Sequence, residues 1–259
     1  MDRRAELLEK LRSEDKEEVR EAVESLAEFL DGEVIKALVD TAISRKSKSI
    51  LEAVRATLMS AEGNGEVICK EVVRFFEHPE PKLRQTAIDI LSHHGDTCLE
   101  VVEEKLLKSE DYNMRKFALD ILSQIRSEKA LELIISALKD ENPNVSLTAL
   151  EYLRNFSSMR DRVVEAIVGF LPSVKDVFGL TTLASTIIYG NIKDGRLIEP
   201  LREKLNTLKD PMEKHWVYKV LLFLGDKDVL GEALENARKV RMEEDLKKDI
   251  EIFGVPGED

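Results

Sequence analysis

The sequence predicts an all-α fold of repeated helix pairs, an α-solenoid, on three observations. A short apolar motif returns at a nearly constant interval, a second apolar helix pattern fills each interval, and the composition favours helix throughout. Leu83-Arg84-x-x-Ala87-x-x-Ile90-Leu91 is followed by Met114-Arg115-x-x-Ala118-x-x-Ile121-Leu122, an offset of 114 − 83 = 31. Val145-Ser146-x-x-Ala149-x-x-Tyr152-Leu153 repeats it after another 31 residues. A fixed period in this range with two helices per unit marks a stack of helical repeats, each burying its apolar face on the next.

Taken in order, the motif begins at Val19-Arg20 with Val23 and Leu26, and returns as Ile50 with Val54, Thr57 and Leu58. After the three copies above come Leu180-x-x-x-Ala184-x-x-Ile187-Ile188 and a fainter echo at Val217, Val220 and Leu221, completing seven predicted pairs that end near Leu224. The intervening helices carry apolar residues at three- and four-residue spacing, as in Ala130, Leu131, Ile134, Ile135 and Leu138, or Val163, Val164, Ile167, Val168 and Leu171. Polar turns such as His78-Pro79-Glu80-Pro81, Ser109-Glu110-Asp111 and Asp140-Glu141-Asn142-Pro143 join the two kinds. Proline suits a first helical turn, and an acidic residue caps it. Gly95-Asp96 and Gly225-Asp226 read as punctuation, the glycine closing one helix in the left-handed region and the aspartate capping the next. Residues 1–252 are expected to form one domain, with Asp228 to Ile252 as a terminal cap and 253–259 as a flexible tail.

The pattern Val/Leu-Arg-x-x-Ala-x-x-x-Leu, entered by an acidic or prolyl turn and followed by Gly-Asp, resembles the HEAT-repeat family, and within it the short repeats of phycobilin lyase subunits. The resemblance covers about Glu14 to Leu234 and implies a right-handed α-solenoid whose motif helices line the concave side. It also implies a series of inter-repeat hydrogen bonds from the motif arginine, broken where Leu51, Ser146 and Thr181 replace it. The longer step from Val145 to Leu180 (180 − 145 = 35) predicts a change of curvature near Pro172.

Composition narrows the function. Charged residues make up 35% of the 259-residue chain, aromatics 5%, and glutamine is confined to Gln85 and Gln124, a Lys/Glu-rich, amide-poor bias found in thermophile proteins. The formal charge of −12 opposes nucleic acid and anionic lipid, whose binding needs clustered Lys and Arg. No apolar run approaches the length that spans a bilayer, and no leader opens the chain, so the expected setting is the cytoplasm.

His93, His94 and Cys98, with His78 or Cys69, hold enough donors for zinc, but Gly95 interrupts the helix between them and they share no face. No metal and no cofactor are expected; the histidines suit a helix C-terminus, and Cys69 and Cys98 are expected to pack as small apolar residues. Gly63-Asn64-Gly65-Glu66 lacks the lysine of a phosphate loop and is a turn. No catalytic residue is assigned, because no nucleophile or zinc-protease motif occurs and open carboxylates keep ordinary acidity.

The positive signal is a row. Asp89, Asp120 and Glu151 recur at offsets of 31, with Lys116, Arg154 and Arg55 diluting them. Such a strip would attract a basic segment of a protein or peptide partner; a merely solvating face is the alternative. Thr181, Thr182, Ser185 and Thr186 form an uncharged patch, and His215, Trp216, Tyr218 and Lys219 mark the next motif helix, where Trp216 and Tyr218 are expected to anchor a partner. The expected function is a noncatalytic protein-interaction scaffold. A DNA glycosylase of HEAT-like fold and a tetrapyrrole lyase or chaperone are the enzyme and cofactor-handling alternatives.

Overall fold

The computed structural model describes residues 2–254, and every regular element among them is helical. The chain divides into two compact units, Met1–Leu133 and Ile134–Asp259.

In the first unit the pairs are α1 (Arg3–Lys10) with α2 (Lys16–Ser25), α3 (Gly32–Ser44) with α4 (Lys48–Met59), α5 (Gly65–Val72) with α6 (Pro81–His93), and α7 (Leu99–Val102) with α8 (Tyr112–Ile125). The motif helices α2, α4, α6 and α8 pack on one another in sequence order, and α3 packs on α5 in the other layer. Val19, Val23, Val54, Ala87, Ile90, Ala118 and Ile121 are fully buried along the motif layer, which is what the recurring apolar spacing requires. A 3-10 turn, Gly95–Cys98, enters α7, and a π-helical turn, Glu103–Leu107, leaves it.

The division between the units falls within α9 (Glu128–Ala137). The second unit continues with α10 (Pro143–Tyr152), α11 (Arg160–Phe170), α12 (Val177–Tyr189), α13 (Ile198–Thr207) and α14 (Pro211–Phe223). Here α10, α12 and α14 form the motif layer, and α15 (Leu230–Lys239) and α16 (Glu243–Phe253) close over α14. Seven pairs and a closing pair of helices thus stand among the described residues, as the periodicity predicts. Of the expected tail, residues 255–259 lie outside those described.

The helix ends follow local chemistry. Asp15, Asp111, Asn142 and Asp210 accept from backbone amides in the first turns of α2, α8, α10 and α14. Gly95 and Gly225 do adopt positive φ, +59° and +90°. Asp226 is not the expected cap: it is buried and held bidentate by Arg202, at 2.6 and 2.8 Å.

Two motif arginines bond the turn that precedes their own helix. Arg84 donates to the His78 carbonyl at 2.9 Å, and Arg115 to those of Ser109 and Glu110 at 2.8 and 3.1 Å. Both serve the turn of their own pair, and Arg84 also lies over the Phe117 ring of the next motif helix, 5.7 Å from its centre. An arginine in the first turn of a motif helix sits beside the open carbonyl end of the preceding helix, where a cation is favoured. Other side chains bond between successive pairs: Thr57 to Val23, Asn64 to Leu30, His94 to Leu58 and Thr186 to Leu150.

Candidate interaction surface

Helix α12 reads Val177-Phe-Gly-Leu-Thr-Thr-Leu-Ala-Ser-Thr-Ile-Ile-Tyr189 and holds no charge, in a chain that is 35% charged. Leu180, Leu183, Ala184 and Ile187 take its buried side. Phe178, Thr182, Ser185 and Tyr189 follow spacings of four, three and four, which places them on one stripe. Phe178 is 63% exposed and Tyr189 77%, among the largest apolar exposures described. Between them Thr181 and Thr182 donate to the Val177 and Phe178 carbonyls, so their hydroxyls are already satisfied within the helix. Thr186 does not belong to this patch: it is fully buried and donates to Leu150 and Thr182.

Burial sets the register of the neighbours. Ser146, Ala149, Leu150 and Leu153 are buried at the end of α10 as Leu180, Leu183, Ala184 and Ile187 are in α12, a step of 183 − 149 = 34. The same step carries Leu183, Ala184 and Ile187 to Val217, Tyr218 and Leu221 of α14. Glu151, Ser185 and Lys219 are therefore equivalent, and so are Thr182 and Trp216. The row passes from acid through neutral to base. Glu151 is paired with Arg154 at 2.9 Å and Lys219 with Asp249 of α16 at 2.6 Å.

Trp216 is half-buried, with the His215 ring edge-on at 5.7 Å and the Lys219 ammonium 5.6 Å from its ring centre. Tyr218 is a correction. It is only 5% exposed, and its hydroxyl donates to Glu232 at 3.0 Å, so it packs inside rather than anchoring a partner. Burial first, then the Glu232 carboxylate, pushes its phenol up to about 12.

In the first unit, Asp89 and Asp120 occupy equivalent, half-buried places on α6 and α8, which pack together. Asp89 accepts from Gln85 at 3.0 Å. Lys116 is half-buried on α8, and Arg55 is paired with Glu52 on α4.

The histidine and cysteine cluster resolves into structural contacts. His94 Nε2 lies 2.9 Å from the Leu58 carbonyl, an open acceptor at the end of α4, and the exposed His93 meets it edge-on. Cys69 and Cys98 do not pack as separate thiols. They are buried and joined in a disulfide, Cα to Cα 5.4 Å, because α5 lies against the Gly95–Cys98 turn. Gly63 and Asn64 both have positive φ, and Asn64 donates to the Leu30 carbonyl at 2.7 Å, so this stretch is a turn that ties two pairs. Among the described residues no three His, Cys, Asp or Glu converge as a metal site, and no helix is long and apolar enough to cross a membrane.

Paired helices, a layer of motif helices and turn-capping arginines are now joined by one further observation: the family model for HEAT repeats matches residues 70–133 and 99–177. Residues 70–177 carry HEAT repeats. No curated protein matches the chain in sequence. A chain in a homology model of the full-length AP-3 complex in an intermediate open conformation is similar in fold, with a TM-score of 0.51 and 12% identity over 95% of this chain and 49% of that one. This chain spans about half the length of that neighbour. An engineered protein known from its crystal structure aligns over 93% of this chain and 72% of its own, at 20% identity and a TM-score of 0.38. The first of these likenesses concerns the helical-repeat fold alone.

Proposed function

We propose that this HEAT-repeat chain is a noncatalytic scaffold that binds a protein or peptide on the exposed side of its motif helices. The observation that carries the reading is the uncharged stripe of α12, which leaves Phe178 and Tyr189 in water on an otherwise highly charged chain. Exposed aromatic side chains bury much area at low entropy cost and are the usual anchors of an interface. Trp216 extends the stripe from α14. Asp89 and Asp120 in the first unit, and Glu151 in the second, are the proposed electrostatic contacts, and the charge of −12 favours a partner segment rich in Lys or Arg.

The titration pattern fits binding better than catalysis. The carboxylates displaced from their usual range are displaced downward by cationic or amide partners: Glu17 by Arg20, Asp31 by Val34 and Arg4, Asp194 by Arg196 to about 2, Glu235 by Lys239, Glu243 by Arg238. A general acid requires the opposite displacement. The disulfide and the Lys/Glu-rich composition together fit a thermophile cytoplasm, one intracellular setting in which disulfides persist.

The test is affinity capture with wild type beside the triple variant Asp89→Lys, Asp120→Lys, Glu151→Lys. Loss of a stoichiometric partner from the folded variant supports the electrostatic assignment, and equal capture removes it.

A further inference from the structure

Helix α16 closes over α14 with little apolar burial of its own. Only Leu246 and Ile250 of its eleven residues are buried, against seven of thirteen in α14. The two helices meet along a ladder of side chains in which each rung joins residues thirty apart: 245 − 215, 249 − 219 and 253 − 223. His215, Lys219 and Phe223 are one turn apart on α14, as Asp245, Asp249 and Phe253 are on α16, so each set shares a face. Two rungs are made. Lys219 pairs with Asp249 at 2.6 Å, and the Phe223 and Phe253 rings meet edge-on at 5.2 Å.

The remaining rung is open. His215 is 1% exposed, and its Nδ1 has no hydrogen-bond partner among the described residues, while Asp245 is exposed. A neutral imidazole tolerates such a place, but an imidazolium would bury a charged N–H that nothing accepts. Burial holds His215 below its ordinary value and Lys219 adds to this, with Asp249 and Asp245 opposing. Of the other elements packed on α14, α12 carries no charge, Glu232 of α15 accepts from Tyr218, and Arg202 and Lys204 of α13 serve Asp226, Asp228 and the Val174 carbonyl. A depressed imidazole contributes stability above about 6.5 and loses it as pH falls. With α16 lifted away, water can reach the ring, so the proton binds more tightly to the open form.

We propose that α16 is an acid-released latch: protonation of His215 detaches it from α14 and uncovers the face of α14 beside Trp216. The release stands apart from the scaffold reading, and only the use of the uncovered face by a partner rests on it.

The experiment follows hydrogen–deuterium exchange of the full chain at pH 7.5 and 5, with each rate corrected for the intrinsic effect of pH. Wild type should lose about tenfold or more of its protection across α16, while α12 keeps its own within about twofold. His215→Phe, which cannot be protonated, should hold α16 within about twofold over the same range, and His215→Gln makes the same comparison if the first variant fails to fold. His94→Ala should leave the loss at α16 as in wild type, because that depressed imidazole lies in the first unit. Trp216 is the only tryptophan of the chain, so its emission should change over the same pH range as the exchange of α16. An equal loss at α16 in wild type and the His215 variants overturns the proposal. So does a gain of protection at pH 5, which would mean that Asp245 captures the imidazolium and tightens the helix. No partner is present in this measurement, so its failure leaves the scaffold reading intact.

Discussion

His94 Nε2 donates to the Leu58 carbonyl at 2.9 Å, across 36 residues of sequence, and so ties the end of one motif helix to the end of the one before it. Replacing His94 with alanine leaves an open carbonyl at a half-buried helix end. The expected cost is about 1–2 kcal/mol in urea unfolding, with the helical circular dichroism unchanged before the transition. Burial pushes the His94 imidazole down, the Leu58 bond opposing it in part. A depressed imidazole contributes stability above the unfolded value of about 6.5 and loses it as pH falls. Wild type should therefore lose more stability between pH 7.5 and 5 than the alanine variant does; parallel losses would show that His94 is not the group.

The Cys69–Cys98 bond closes a loop of 29 residues between successive pairs. Chain entropy assigns such a crosslink about 3–4 kcal/mol. Reduction, or Cys69→Ala with Cys98→Ala, should lower the unfolding midpoint accordingly. Thiol titration of the denatured, unreduced chain should find none of the two cysteines; two free thiols would contradict the pairing.

Tyr218 ionises near 12 because its phenol is buried and donates to Glu232. The raised value means that its neutral form is favoured by folding, so its contribution is complete below the unfolded value of about 10 and disappears as pH rises through 12. Ultraviolet difference titration should show a late-ionising phenol that is absent from Tyr218→Phe. A wild-type curve identical to that of the variant would place the Tyr218 hydroxyl in water instead.

The layout of pairs was legible because each motif helix must bury the same face on its neighbours, which writes the period into Val54, Ala87, Ala118 and Ala149 alike. The glycine stops at Gly95 and Gly225 were legible for a similar local reason. The disulfide was not, since only the stacking of pairs brings Cys69 of α5 beside Cys98. Tyr218 could have been read correctly from spacing alone. Two residues apart on a helix, Trp216 and Tyr218 point to different sides, and the apolar period through Val217 and Leu221 already claims the side of Tyr218. Phe178 and Tyr189 were hidden because both helix ends look apolar in sequence, and nothing local says that the layer below is already filled. The arginine register gave the wrong hydrogen-bond partner for Arg84, which serves the His78 carbonyl of its own pair.

The central claim is that the uncharged stripe of α12 is a protein-binding surface. Its most direct measurement is quantitative capture of a stoichiometric partner by wild type and by the Phe178→Lys, Tyr189→Lys variant, with thermal unfolding recorded for both. Both side chains are largely exposed, so the variant should unfold within a few degrees of wild type and retain less than about a tenth of the partner. Equal retention by a folded variant would contradict the claim.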